Sequence, residues 1–357
     1  MRNYLPGFTS FGGVYVSVSS PYRLNVNEQA EKLAQFMVRA DEMHALGRDL
    51  GISNRSRIVF AGMGSSHFGS YEIWESFSRL GLPAWWMPAS ELIDVGAGLL
   101  TPGTLLCLTS QSGESAEVTQ VLKQCDLSKI EILGITNDPN SNLAKHSNYL
   151  VDLKAGPEAT VSTKTYLNTL AAMRLVFSEV TNSYESVRTS LLRTVDAIET
   201  YVSDLDSHIE SAEELFPYKK NYVCVGRGVA GASSQTAGLI LKEAAKMSIE
   251  GTTAASFRHG PIEIAGPDLS ITFFDHGTEP HNALNVKLAS DVIASGSSVT
   301  WIGDKGIGTK LPSPDRNGSD QRICDTLSFQ TLSFALAART GVQAGSFAYA
   351  SKVTDTL

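Results

Sequence analysis

The sequence has no basic surplus, no long apolar run and no paired cysteines. Its 29 Lys and Arg stand against 37 Asp and Glu, a formal net charge of -8. A nucleic-acid partner would call for a basic balance, so none is expected. No apolar stretch approaches the length of a membrane span, and the opening MRNYLPGFTSFGGVYVSVSS lacks the continuous apolar core of a signal peptide. No membrane partner is expected, and the expected setting is cytoplasmic. Cys107, Cys125, Cys224 and Cys324 are scattered without a CxxC and read as reduced thiols. No His/Cys cluster has metal-ligand spacing, so neither a metal nor another cofactor is expected. His276 and His281 read as polar surface.

What the sequence does have is globular: 357 residues, 42% hydrophobic and 18% charged, enough for about two domains. Two strand–glycine–helix units stand out, RIVFAGMGSSHFGSYEIWESFSRL from Arg57 and NYVCVGRGVAGASSQTAGLILKEAAK from Asn221. Gly62 and Gly64 correspond to Gly226 and Gly228 (226 − 62 = 164), and Leu105 to Gly113 matches Leu269 to Gly277 at the same offset. A repeat of that length implies a duplicated domain.

Strands are expected near residues 57–63, 83–88, 104–109, 130–136 and 148–153, and again near 221–226, 270–275 and 298–303. Their alternation with helical stretches gives an α/β class, with mostly parallel sheets flanked by helices. An amphipathic helix is expected over 28–50, helical structure over 164–216, and no regular element after Gly341. The segment SIEGTTAASFRHGP does not read as a plain strand. Neither GxG turn leads to a clear ribose-binding acid, so the glycines read as tight turns and not as a dinucleotide site. The expected divisions are 1–50 (leading segment), 51–200, 201–341 and 342–357 (tail).

The stretch CLTSQSGESAEV, residues 107 to 118, crowds Ser110, Gln111, Ser112 and Ser115 into a strand-to-helix turn. Hydroxyls, bare backbone and a helix N-terminus suit a phosphate held by neutral donors. A single serine would suffice as a helix cap; three serines and a glutamine exceed that need. Ser65 and Ser66, after the first GxG, can close the cradle. The corresponding FFDHGTEP carries Asp275, which would repel an anion, so the first repeat is expected to hold the phosphate.

SQSGES resembles the signature of sugar-isomerase (SIS) domains, and GMGSSH resembles their glycine turn. GPEATVSTKTY, LKEAAK with FRHGPI, and the closing SKVTDTL resemble later family segments, in the expected order across residues 57 to 357. The resemblance implies two tandem SIS domains, each a flavodoxin-like three-layer sandwich, similar to the isomerase domain of glucosamine-6-phosphate synthase and its stand-alone deaminase and deglycase relatives. It implies an open-chain hexose 6-phosphate, with the phosphate on Ser65, Ser66, Ser110, Gln111, Ser112 and Ser115. The sugar would meet Gly64, Glu158, Val161, Ser162 and Lys164. Glu243 matches the base that moves the C1–C2 proton, His259 the ring-opening histidine and Lys352 the terminal lysine. A homodimer is implied, with His259 reaching across subunits.

Departures narrow the reading. Only 56 residues precede Arg57, where the first strand–GxG unit opens, and position 2 is Arg2, so no glutaminase domain is expected. Ala348 and Tyr349 stand where synthases carry Arg and Asn, while the KVTxT tail and FRHGP look like the stand-alone deaminases. The expected activity is a deaminase or deglycase with aldose–ketose isomerisation on a 6-phosphorylated aminosugar or fructosyl-amine. The alternatives are a plain isomerase and a non-catalytic sugar-phosphate sensor.

Overall fold

The fully buried run TLLCLT shows how the fold is built. Thr104–Thr109 is buried along its whole length, as a strand flanked by two others and covered on both faces must be. The computed structural model describes residues 20–94, 96–124, 129–349, 352 and 354, and the backbone of 8–11 and 14–17. Cys125 and most of the tail beyond Tyr349 lie outside the described residues.

In chain order the strands are β1 (Phe8–Phe11), β2 (Val14–Ser17), β3 (Arg57–Gly62), β4 (Ala84–Pro88), β5 (Thr104–Thr109) and β6 (Glu131–Thr136). They continue with β7 (Tyr149–Asp152), β8 (Asn221–Gly226), β9 (Ile249–Thr253), β10 (Leu269–Phe274), β11 (Ser298–Ile302) and β12 (Thr309–Lys310). Strands β1 and β2 pair antiparallel; the rest form two five-stranded parallel sheets, ordered β4-β3-β5-β6-β7 and β12-β11-β10-β8-β9. Read from the other end, the second order repeats the first.

The chain divides into two compact units. The leading unit holds Glu31–Glu158, Lys164–Leu192 and Tyr349–Leu357; the trailing unit holds Met1–Ala30, Ala159–Thr163 and Arg193–Ala348. Each is discontinuous in sequence, so neither is a simple block of chain.

In the leading sheet, Val59, Ala61, Leu106 and Leu108 pack on one face against Leu92, Val118 and Val121. On the other, Phe60 meets Phe77 and Phe177 edge-on at 5.7 and 5.6 Å. In the trailing sheet, Val225, Ile271 and Phe273 pack with Phe257 and Leu288, while Phe274 faces Phe329. This is the three-layer arrangement expected of α/β alternation. Cys107, Cys224 and Cys324 are buried and free, and burial pushes all three thiols up. They remain protonated core residues.

Two expectations change. The helix expected over 28–50 is two helices, Gln29–Met37 and Ala40–Asp49, preceded by a further helix, Pro21–Asn27. The last break falls before Ala40, where the Arg39 guanidinium donates to the Asp152 carbonyl at 2.8 Å and also binds Glu42. The segment after Lys246, not expected as a strand, contains β9. Its Gly251 explains both the weak pattern and the structure: a Cβ there would lie 2.3 Å from the Ser234 carbonyl oxygen of the helix Val229–Ala245. Close helix–strand packing removed the side chain that would have signalled a strand.

Candidate functional site

Ser110 stands one residue beyond β5, and its N–H still donates to Ile135 at 3.0 Å. Its Oγ accepts the Gly113 N–H at 3.1 Å, and Ser112 Oγ accepts the Glu114 N–H at 3.2 Å. Gly113 turns the chain with φ of 66°, and a Cβ there would sit 2.1 Å from Ser141 Oγ. The Gln111 carbonyl accepts from Asn137 N–H at 3.0 Å and from the Thr136 hydroxyl at 3.2 Å. The turn is therefore pinned to the loop after β6. Both serine oxygens act as acceptors, which leaves each O–H able to donate to an anion.

The helix Ala116–Gln124 follows Ser115, which is half-buried. Its first N–H, from Ala116, donates to the Thr354 carbonyl at 3.0 Å. The helix N-terminus expected to be open thus gives one of its donors to the tail. Register sets Gly62 of β3 beside Thr109 of β5, which brings the two glycine- and serine-bearing turns to one end of the sheet. Gly64 turns with φ of 52° and opens the short helix Gly64–Gly69, where Ser65 and Ser66 are half-buried. Open parallel sheets bind ligands at this carboxyl end.

Glu158 also belongs to the leading unit and is buried. It accepts the Thr165 N–H at 3.2 Å, the Thr165 hydroxyl at 2.6 Å and Lys352 Nζ at 2.9 Å. Lys164 is buried at the start of the helix Lys164–Val176. Val161, buried, and Ser162, half-buried, fall in the short stretch counted with the trailing unit.

Glu243 lies near the end of the helix Val229–Ala245 in the trailing unit, half-buried between buried Leu241 and Ala244. That matches the partial burial its apolar flanks suggest. Lys246 Nζ donates to the Glu243 carbonyl at 2.5 Å and also to the Ser346 carbonyl, tying the chain after Gly341 to this helix end. His259 is exposed and caps the helix Ala254–Arg258, ahead of Gly260 with φ of 119°.

The register also corrects the internal repeat. Strand β10 opens at Leu269 and β5 at Thr104 (269 − 104 = 165), one residue off the glycine offset. Asp275, not Phe274, is the counterpart of Ser110: its N–H donates to Ile302 at 3.0 Å, and Oδ1 accepts the Gly277 N–H at 2.6 Å. The trailing turn is one residue shorter. Asn282 and Asn285 donate to the same carboxylate at 3.1 and 2.7 Å. Three neutral donors orient the buried Asp275 carboxylate without cancelling its charge.

Two histidines were missed as structured groups. His67, inside GMGSSH, is buried and stacks on Trp86 at 3.8 Å and 14°, and Trp86 Nε1 donates to its carbonyl at 2.9 Å. Burial lowers its pKa to about 4, so it is neutral near pH 7. The aromatic strand AWWMP was the only sequence hint. His276, expected as polar surface, donates or accepts through Nε2 at 2.8 Å from Asp325 Oδ2. No local pattern links residues so far apart in the chain. A cleft of about 640 Å³ in the trailing unit is lined by Arg193, Tyr201, His208, Asp315 and Asn317, and by none of the expected site residues.

Residues 51–179 match the SIS domain family model, and this segment is a SIS domain. Over 227 residues the chain is 27% identical to the glutamine–fructose-6-phosphate aminotransferase (isomerizing) of Sulfurisphaera tokodaii, covering 63% of this chain and 38% of that protein. The chain thus spans well under half the length of the curated relatives it matches. The fold is similar to the Escherichia coli tagatose-6-phosphate ketose/aldose isomerase, with a TM-score of 0.79 at 16% identity over 91% of this chain and 94% of that one. It is also similar to the Thermotoga maritima glucosamine-6-phosphate deaminase, with a TM-score of 0.72 at 18% identity over 94% of this chain and 100% of that one.

Proposed function

We propose that the chain is a sugar-phosphate enzyme, acting on a 6-phosphorylated aminosugar or fructosyl-amine with amine release and aldose–ketose isomerisation. The observation that carries this is the Ser110–Ser115 turn: two serines accept backbone N–H groups and keep their own O–H donors for an oxyanion. The phosphate goes to Ser65, Ser66, Ser110, Gln111, Ser112 and Ser115, and the sugar to Gly64, Glu158, Val161, Ser162 and Lys164. The same strand order in the trailing unit supports reading it as a second SIS domain.

His259 assists ring opening, in this reading from a second copy in a homodimer. Glu243 then takes the C2 proton and returns it to C1. With an aminosugar, the resulting C2 imine adds water and releases ammonia, leaving a ketose 6-phosphate. Lys352 meets the open sugar. Binding energy from the remote phosphate orients C1 and C2 for this transfer.

The test is an ammonia-coupled assay on glucosamine 6-phosphate beside an isomerisation assay on hexose 6-phosphates. The expected result is ammonia release that Glu243→Gln abolishes, with sugar-phosphate affinity kept. Isomerisation without ammonia would select a plain aldose–ketose isomerase. Binding without any turnover would select a sensor. Full activity in the Gln variant would remove Glu243 as the base.

A further inference from the structure

The cleft of about 640 Å³ in the trailing unit is lined by none of the residues assigned to the proposed reaction. Its volume suits a small molecule. One wall is helical. Arg193, Asp196, Ala197, Thr200 and Tyr201 follow the spacing i, i+3, i+4, i+7 and i+8 on the helix Tyr184–Ser203, so they share one face. The next helix, Leu205–Leu215, adds His208, whose ring lies flat on Tyr201 at 4.1 Å and 9°. The Tyr201 hydroxyl bonds to Thr331 at 2.9 Å, which fixes this ring and the imidazole stacked on it.

The facing wall is the loop 313–319, ahead of the helix Gln321–Thr340. The Asp320 N–H donates to the Thr194 hydroxyl at 2.7 Å and ties the end of the loop to the first helix. Gln321 Nε2 donates to the Arg316 and Ser319 carbonyls at 2.8 and 3.1 Å. Gly318 turns with φ of 74°, and a Cβ there would lie 2.3 Å from Arg193 Nη1. The missing side chain lets the guanidinium lie against the loop, so the two walls meet at Arg193. A cleft fixed in this way costs a ligand little ordering.

The lining carries charges of both signs. Arg193 and Asp196 are exposed, and none of the described residues hydrogen-bonds or ion-pairs with either side chain. Asp315, also exposed, accepts the Asn317 N–H through Oδ1 at 3.0 Å. The His208 ring is half-buried, and burial holds its pKa below the ordinary value against the pull of Asp204. It adds a neutral donor and acceptor. Buried Ala197, Tyr201 and Pro314 give the cleft an apolar floor. A plain anion would meet two carboxylates, and a plain cation would meet Arg193. A ligand bearing both charges answers both.

We propose that this cleft is a second ligand site, which takes a free α-amino acid. Arg193 holds the carboxylate through paired N–H donors, and Asp196 and Asp315 hold the ammonium. The amino acid's own side chain lies over the floor of Ala197, Tyr201 and Pro314. The site stands independently of the proposed reaction.

The experiment titrates the full chain by calorimetry at neutral pH with L-phenylalanine and with L-lysine. Acetate and butylamine, each carrying one of the two charges, are titrated beside them. The expected result is saturable binding of at least one amino acid, about tenfold or more tighter than acetate or butylamine. Preference for phenylalanine assigns the side chain to the apolar floor, and preference for lysine assigns it to the second aspartate. Either preference supports the site. Arg193→Ala and Asp196→Asn change exposed helix positions, and each should reduce the affinity about tenfold or more with the melting temperature kept. Excess glucosamine 6-phosphate should not displace the amino acid. No saturable binding of either amino acid, binding that survives Arg193→Ala undiminished, equal binding of acetate or butylamine, or displacement by glucosamine 6-phosphate would each overturn the proposal.

Discussion

Lys352 of the tail donates to the buried carboxylate of Glu158 at 2.9 Å. Two residues on, Thr354 accepts the first N–H of the helix that follows the serine turn. One short piece of chain therefore touches both the phosphate cradle and the expected sugar-binding glutamate, all within the leading unit. Lys352→Ala removes this cation from a buried carboxylate that Thr165 continues to hold. Because the lysine is partly exposed, the expected cost is about 1–2 kcal/mol, below the range for fully buried pairs. Urea unfolding of the variant measures it, and an unchanged midpoint would mean the pair contributes nothing.

Much of this arrangement was legible from local pattern. Buried strands such as TLLCLT read directly as strands, and the GxG turns marked where each sheet's carboxyl end lies. The serine turn was recognisable because its residues are neighbours in sequence. The Asp325–His276 pair was not, because it joins residues 49 apart (325 − 276 = 49) through a helix that packs only in the folded chain. Strand β9 was hidden because Gly238 and Gly251 exchange side chains for close approach. The one-residue slip between β5 and β10 was hidden because a shorter turn restores the glycine offset.

The serine turn makes separable predictions for binding and stability. Ser110→Ala removes one hydroxyl donor and should weaken hexose 6-phosphate binding about tenfold; it also leaves the buried Gly113 N–H without its acceptor, at a cost of about 1–2 kcal/mol of stability. Gly113→Ala should act on stability instead. It needs a positive φ, and its new methyl would press on Ser141. A cost of about 1–3 kcal/mol is expected. Calorimetric binding and thermal melting together check both. Lost stability with unchanged affinity in Ser110→Ala would show that the hydroxyl is only a turn brace.

Asp325 should be the costliest single charge to remove. Arg316 and His276 both lean on its carboxylate, and neither reaches bulk water freely. Asp325→Asn keeps the shape but leaves buried Arg316 without its counter-charge, an expected loss of about 3–5 kcal/mol. Chemical denaturation of the trailing unit's transition measures this. A loss under about 1 kcal/mol would mean the network relaxes without it.

His67 sets an acid limit on the fold. Its ring is neutral and stacked on Trp86, with a folded-state pKa of about 4 against an ordinary value of 6.5. Between those values the unfolded chain binds a proton that the folded chain refuses. Stability therefore falls as pH drops below 6.5, and the loss levels off near pH 4. The full difference amounts to about 3 kcal/mol. His67→Phe retains a flat ring against Trp86 but has nothing to protonate. Its unfolding free energy should decline less between pH 6.5 and 4 than that of the parent. Parallel slopes for the two proteins would place the acid sensitivity in other groups.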